Sequence, residues 1–415
     1  MAGIYLHIPF CKQACHYCNF YFSTSIRGKN DFITALLKEM EWRRDYMGGE
    51  TVETVYLGGG TPSLLSGEEL RVILDRIREL YPVAADAEWT LEANPDDIVQ
   101  GGRLGDPSKR EGGNRVEGGV GGDKGGVAGG SGRSQFGSRA REWAAAGINR
   151  LSIGVQSFRD HDLQWMNRAH GAGQAVDSIK MAQDAGIVNI SIDLIYGTPG
   201  LSDADWIENI DKAVQLGIPH LSCYALTVEP KTALETMIRQ HKKEAVSTDD
   251  QARQFLILMD RLGAAGYEHY EISNFAIPGH RSRHNSSYWQ GKPYLGLGPS
   301  AHSYDGGFVR QWNIANNALY ARALATPDLV GLFEKEVLTR DQQLNEYIMI
   351  SLRTMEGCDL SVVEERLGVD AASGLRARAN RYILRGEVVL EGMRLVLSRE
   401  GKLLADGIAS DLFVD

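Results

Sequence analysis

The chain has 415 residues, enough for one large core and a smaller one, because single cores stop growing near ~250 to 300 residues. Its 44 basic against 54 acidic residues leave a formal net charge of −10, which argues against a protein whose main business is coating DNA or anionic lipid. Five cysteines, with Cys11, Cys15 and Cys18 crowded together and Cys223 and Cys358 far away, argue against a disulfide framework and for a reducing compartment.

The opening MAGIYLHIPF has neither a basic n-region nor a long apolar h-region, and no stretch reaches the ~18 apolar residues of a membrane span. A cytoplasmic location is expected. Short β-rich runs then alternate with helix-length amphipathic segments, the pattern of a parallel sheet wrapped by crossover helices. Six strands are predicted: Ile4–Ile8, Thr54–Leu57, Trp89–Glu92, Leu151–Val155, Ile190–Ile195 and Leu221–Leu226. Between the first two, Asp31–Tyr46 reads as a helix with Phe32, Leu36, Leu37 and Met40 on one face and Arg43 and Arg44 at a basic C-terminus. Gly67–Leu80 and Ala204–Leu216 read alike.

Residues 101–138 break the pattern. Glycine fills 15 of these 38 positions and almost nothing is apolar, so a disordered surface insertion is expected. It falls in a helical crossover, where length is tolerated, and regular structure is expected to resume with a helix at Arg139–Ala146. After about Ala325 the alternation stops. Helices at Asp341–Met355, Leu360–Leu367 and Ala371–Arg385 and strands at Val388–Leu390 and Leu395–Leu397 suggest a winged-helix-like module, a fold that binds proteins as readily as nucleic acid. Two domains are expected, 1–325 and 326–415.

CKQACHYC, from Cys11 to Cys18, follows the first strand directly and so sits in a loop at a strand's C-terminal end. Three thiolates can hold three irons of a 4Fe-4S cubane and leave the fourth open to a small chelator such as S-adenosylmethionine (SAM). Reduction of such a cluster can cleave the sulfonium and yield a 5′-deoxyadenosyl radical. The competing reading is a zinc knuckle completed by His16 or His7, for which the three-residue gap is awkward.

Gly58, Gly59, Gly60, Thr61 and Pro62 follow the second strand and present bare backbone at the same end of the sheet. An ordinary βα turn would look the same. Glu92 ends the third strand, Gln156 and Ser157 the fourth, and Asp193 lies in the fifth, so polar groups gather on one rim. Each would also read as a solvated cap or as a hydrogen-bond partner inside the barrel. Arg168 would place a cation over a cofactor carboxylate, although a lone helical arginine is usually a surface residue. In RHNSSYWQG, Arg283 to Gly291, an imidazole and flanking rings suit a heme site. A merely hydrogen-bonded histidine is the alternative.

IYLHIPFCKQACHYCNF, YLGGGTPSLL, LEANPDD, NRLSIGVQSF, DLIYGTPG, YEISNFA, RHNSSYW and YLGLGPSAHS together resemble the radical SAM family of oxygen-independent coproporphyrinogen III oxidases, most closely its HemW branch, the heme chaperones. The resemblance runs from about Ile4 to the C-terminus, apart from the glycine-rich insertion. It implies a partial (β/α)6 barrel followed by the family's small C-terminal domain, with Cys11, Cys15 and Cys18 on a 4Fe-4S cluster. Tyr5, Gly59, Gly60, Thr61 and Glu92 match positions that contact SAM in the related oxidases. Tyr17, Gln156, Arg168 and Asp193 match further contacts there, including those to a second SAM molecule, and Ala225 falls in the same region. The heme motif of the HemW branch maps onto His284, Asn285, Tyr288 and Trp289.

Two departures from the true oxidases point toward the HemW branch. Asn19 and Phe20 follow Cys18 where the oxidases continue into a fourth cysteine, and their N-terminal substrate-binding extension has no counterpart before Ile4. The resemblance therefore implies a heme chaperone with client hemoproteins, an electron donor and a homodimer as partners. It also implies transient contact with a membrane surface where clients sit, while the net charge of −10 leads to no nucleic-acid partner being expected. The oxidase is the alternative function, and a radical SAM enzyme acting on another bulky planar substrate is a third.

Overall fold

Along the six predicted strands the residues alternate between apolar and polar, and the fold turns the two sets to opposite sides. The computed structural model describes residues 2–99, 139–326 and 329–414; the glycine-rich segment 101–138, with the disorder expected of it, lies outside the described residues. The strands are β1 (Ala2–Ile8), β2 (Val52–Gly59), β3 (Val83–Ala93), β4 (Arg150–Gln156), β5 (Asn189–Tyr196) and β6 (His220–Ala225). They pair in parallel in sequence order. Ile4, Leu6 and Ile8, Val55 and Leu57, Leu91, Leu151 and Ile153, and Ile190 and Ile192 are fully buried in the main core. Burying such a side chain contributes about 1.5–3 kcal/mol over leaving it exposed.

The opposite face carries Tyr5, Thr54, Tyr56, Glu88, Thr90, Glu92, Arg150, Ser152, Ser191, Asp193, His220 and Ser222. Register places Tyr5 beside Tyr56, Tyr56 beside Thr90, and Thr90 beside Arg150. The inner face of this barrel is thus polar throughout, an expensive arrangement unless those groups find partners or a ligand.

Crossover helices seal the apolar side. Lys29–Trp42, Gly67–Leu80, Arg139–Ala146, Ala172–Asp184 and Asp203–Gln215 each bury a stripe toward the sheet. Gly67–Leu80 starts from a capping box, with the Ser66 side chain accepting from the Glu69 N–H and the Glu69 carboxylate accepting from the Ser66 N–H. Two expectations for the first helix change. It ends at Trp42 rather than Tyr46, and Arg43 is no solvated terminal charge: it is buried, 3.6 Å from Glu39, with its guanidinium over the Tyr46 ring.

The sheet reaches further than six strands. β7 (Glu268–Glu271), β8 (Asn274–Ala276), β9 (Tyr294–Leu297), β10 (His302–Tyr304), β11 (Val309–Asn313) and β12 (Phe333–Val337) extend it on both flanks, giving twelve strands among the described residues. β9 is a further parallel strand beside β1, and the others run antiparallel. Alternation therefore does not stop at Ala325, because β12 pairs with β11 beyond it. These flanking strands are three to five residues long, too short for periodicity to reveal.

A second core lies beyond. Helices Arg340–Leu352, Leu360–Leu367, Val369–Leu384 and Ala405–Asp411 surround a small sheet of β13 (Cys358–Asp359), β14 (Val388–Glu391) and β15 (Arg394–Leu397). Cys358 is buried in this core and Cys223 in the main one. No helix among the described residues is long and apolar enough to cross a membrane.

Candidate functional site around the cysteine loop

At the C-terminal ends of the parallel strands the barrel opens into a cavity of about 950 Å³. Cys11, Cys15 and Cys18 all border it as free thiols. Lys12 fastens the loop by pairing with Asp96 at 2.8 Å and with Asp97, both just past β3. On the other side Asn167 donates to the Ala14 carbonyl at 2.8 Å, and the Leu234 N–H to that of His16. The loop is held from three directions, so the sulfurs are positioned before any ligand arrives.

Two of the sulfurs already accept hydrogen bonds. Thr61 Oγ1 donates to Cys11 Sγ at 3.4 Å, and Arg168 Nη1 to Cys15 Sγ at 3.3 Å. Asn94 joins the pair by donating to Thr61 at 3.2 Å and accepting from Arg168 at 2.6 Å. Burial pushes the Cys11 thiol up to about 11 and raises that of Cys18. Such thiols are poor acids alone and suit a metal that displaces their protons.

Among the described residues no three His, Cys, Asp or Glu side chains close around a single metal position. The histidines of the zinc reading are engaged elsewhere. His7 bonds the Tyr21 carbonyl and the Tyr5 hydroxyl, and His16 Nδ1 the Trp165 carbonyl. A cubane asks for something different, three sulfurs spread over three irons, and three soft donors on one cavity fit it.

Above the cysteine loop the chain comes close to itself. Gly59 has φ +101°, and a Cβ there would lie 2.5 Å from the His7 ring; one on Gly60 would meet the Ile8 carbonyl at 2.7 Å. Only glycine fits this turn. Gln156 also takes a left-handed conformation, φ 67°, where the β4–β5 register shifts. Such strain at a non-glycine residue is found where a side chain must be aimed, and Gln156 borders the cavity.

Glu92 and Asp193 share the interior. Burial, with Asp193 adding to it, lifts Glu92 to about 7, although Tyr56 donates to it at 2.8 Å. Burial lifts Asp193 to about 6. Two carboxyls that ionise near neutrality can accept from hydroxyl or ammonium groups of a ligand.

Tyr17, Thr61, Arg168, Ala225 and Asn285 also line this cavity. Tyr5, His284, Tyr288 and Trp289 lie outside its lining. Tyr5 stacks on Tyr56 with ring centres 6.1 Å apart. The helix Arg283–Trp289 covers the opposite, N-terminal end of the barrel, held by the Glu88 carboxylate, which accepts from the Arg283 and His284 N–H groups. His284 is 1% exposed and bonded through both ring nitrogens, Nδ1 to Thr54 Oγ1 and Nε2 to Tyr288 Oη, each at 2.8 Å. Burial, with Arg150 adding to it, lowers it to about 3, so at neutral pH a ring with one N–H and one lone pair has both in use.

The sequence pattern of the Radical SAM superfamily matches residues 5–118 and 131–213, and that of the HemN C-terminal domain matches 338–404. The protein from Mycobacterium tuberculosis named heme chaperone HemW is 36% identical over 415 residues, covering 99% of this chain and 94% of that one. The chain belongs to the HemW family of radical SAM proteins. A Bacillus subtilis protein of the same name is 30% identical, covering 98% of both chains. In fold, this HemW-family chain matches coproporphyrinogen III oxidase HemN of Escherichia coli with a TM-score of 0.77 at 21% identity, over 100% of this chain and 90% of that one.

Sequence reasoning missed several residues of the HemW-family cavity. Tyr56, Arg150, Ser152, Ser191, Ser222 and Tyr224 border it, and strand alternation alone would have singled them out as the face opposite Leu57, Leu151 and Ile190. Asn94 was within reach as the residue after β3. Lys402, from the second core, also lines the cavity, and no local pattern marks it.

Proposed function

We propose that this protein is a heme chaperone: it holds a 4Fe-4S cluster on Cys11, Cys15 and Cys18, binds SAM beside it, and passes heme to client hemoproteins. The observation that carries the cofactor assignment is the meeting of three free thiols, the Gly59–Gly60 turn, Glu92, Gln156, Arg168 and Asp193 at a single cavity. Full-length likeness to relatives named heme chaperone supports the carrier role.

When bound, the cluster and SAM supply one-electron reductive chemistry. The chain's own residues bind and orient. Gly59 and Gly60 admit close backbone approach, Glu92 and Asp193 accept from ligand donors, and Arg168 keeps a positive charge beside the Cys15 sulfur. We assign Tyr5 a supporting role, since its ring backs Tyr56, whose hydroxyl bonds Glu92. Heme ligation by His284 requires one of its two hydrogen bonds to open, so the assignment of His284, Asn285, Tyr288 and Trp289 to heme includes a rearrangement of the helix they share. An electron donor, a second copy of the chain and membrane-bound clients complete the proposal, in the reducing cytoplasm that free thiols suit.

Anaerobic reconstitution tests this reading. Expected are about four irons and four sulfides per chain, stoichiometric heme binding, delivery of heme to an apo-hemoprotein, and no change in added coproporphyrinogen. Conversion of coproporphyrinogen to protoporphyrinogen with SAM consumption would replace the chaperone with the oxidase. Heme bound identically after replacement of His284, Tyr288 and Trp289 would move the heme site elsewhere.

A further inference from the structure

The cavity is bordered by four fixed cations, Arg150, Arg168, Arg353 and Lys402. Three of them are engaged by hydrogen-bond partners. Arg353 pairs with Glu271 and Asp406, Arg168 bonds Cys15, Asn94 and Gly154, and Lys402 bonds His269. Arg168 leaves only its Nε unmatched, whereas Arg150 leaves two nitrogens so. Arg150 is 1% exposed, and its Nε and Nη2 have no hydrogen-bond partner.

Its ion-pair partner among the described residues, Glu88, stays 3.9 Å from Nε, with its two oxygens taken by the Arg283 and His284 N–H groups. Thr90, its register neighbour on β3, is fully buried with Oγ1 likewise unpartnered. A buried guanidinium that leaves two nitrogens unmatched costs free energy unless something planar and anionic completes it. A carboxylate does so through two parallel hydrogen bonds. We propose that Arg150 and Thr90 form a carboxylate-recognition subsite deep in the barrel, which takes a propionate of the porphyrin.

The proposal rests on the heme reading above and adds to it the residues that recognise the ligand's acid groups. SAM also carries a carboxylate, so the test separates the two sources. Reconstituted protein is titrated with hemin, with hemin whose two propionates are methyl esters, and with SAM. Wild type is expected to bind hemin at least tenfold more tightly than the diester. Arg150→Met and the near-isosteric Thr90→Val should bring hemin affinity down toward that of the diester, leaving diester and SAM affinities within twofold. Arg150→Lys should recover part of the preference. Cluster content and thermal unfolding identify any variant that fails to fold, in which case the wild-type ester comparison and Thr90→Val still decide.

Equal binding of hemin and diester by wild type, or full discrimination retained by Arg150→Met, overturns the subsite. Loss of SAM affinity alone in Arg150→Met assigns the carboxylate to SAM and overturns the porphyrin assignment. If wild type binds neither porphyrin, the heme reading itself falls and the subsite with it; that result is distinguished by the failure of the diester as well as of hemin.

Discussion

Arg168 Nη1 lies 3.3 Å from Cys15 Sγ while Nη2 donates to Asn94 at 2.6 Å and to the Gly154 carbonyl at 2.7 Å. One side chain thus ties the cysteine loop to the ends of β3 and β4. In the proposed cluster, a positive donor on a sulfur ligand would favour the reduced, more negative state, because it stabilises the added electron. Arg168→Met is expected to lower the cluster's reduction potential and to destabilise the fold by about 1–3 kcal/mol through the acceptors left unmatched. An electron paramagnetic resonance redox titration alongside urea unfolding reads both. An unchanged potential would mean that the contact to sulfur carries no charge effect.

Glu92 offers a pH test. A carboxyl raised in the folded state, here from 4.5 to about 7, binds its proton more tightly there than in the unfolded chain. Its stabilising contribution is therefore full below the unfolded value and is lost as pH climbs through about 7, by about 3 kcal/mol in all. Asp193 acts in the same sense up to about 6. Unfolding free energy should fall between pH 4.5 and 7, and Glu92→Gln should flatten much of that slope while weakening SAM binding. A slope identical in the two proteins would refute the assignment.

Gly59 tolerates no side chain. Gly59→Ala combines φ +101° with a Cβ 2.5 Å from His7, so His7 must move and its bond to the Tyr21 carbonyl opens. Loss of about 2–3 kcal/mol of stability and at least a tenfold drop in SAM affinity are expected, by calorimetry and equilibrium dialysis. Gly173, where a Cβ meets nothing within 4 Å, is the control, and Gly173→Ala should match wild type.

Arg353 joins the two cores. Its guanidinium lies 3.0 Å from the buried Glu271 beside β8 and 2.7 Å from Asp406 in the second core. Arg353→Ala leaves Glu271 with the Asn274 amide and the Ser273 N–H alone, at a cost of about 3 kcal/mol. Thermal unfolding should broaden or split as the second core uncouples. A single sharp transition at the wild-type temperature would show that apolar contact, and not this ion pair, holds the cores together.

His284 shows where sequence reading reached its limit. As a residue type within RHNSSYW it suggested an iron ligand or a merely hydrogen-bonded histidine; in the fold it meets Thr54, 230 positions away, and is sealed under the barrel. Arg150 gave no signal beyond its place in the alternation of β4. That the three cysteines would share one loop at a strand's C-terminal end, by contrast, was legible, because it depends only on close spacing after β1.

The chain order alone determined the six central strands, most of the covering helices and the cysteine loop's place after β1, since two-residue and 3.6-residue periods, caps and close spacing are local properties. Tertiary structure decided which strand face became the interior and how far the sheet extended. It also decided that Asn94, Arg150 and Lys402 share a cavity with the thiols. Those outcomes depend on sheet curvature and on pairing between distant segments, whose energies no short window of sequence contains.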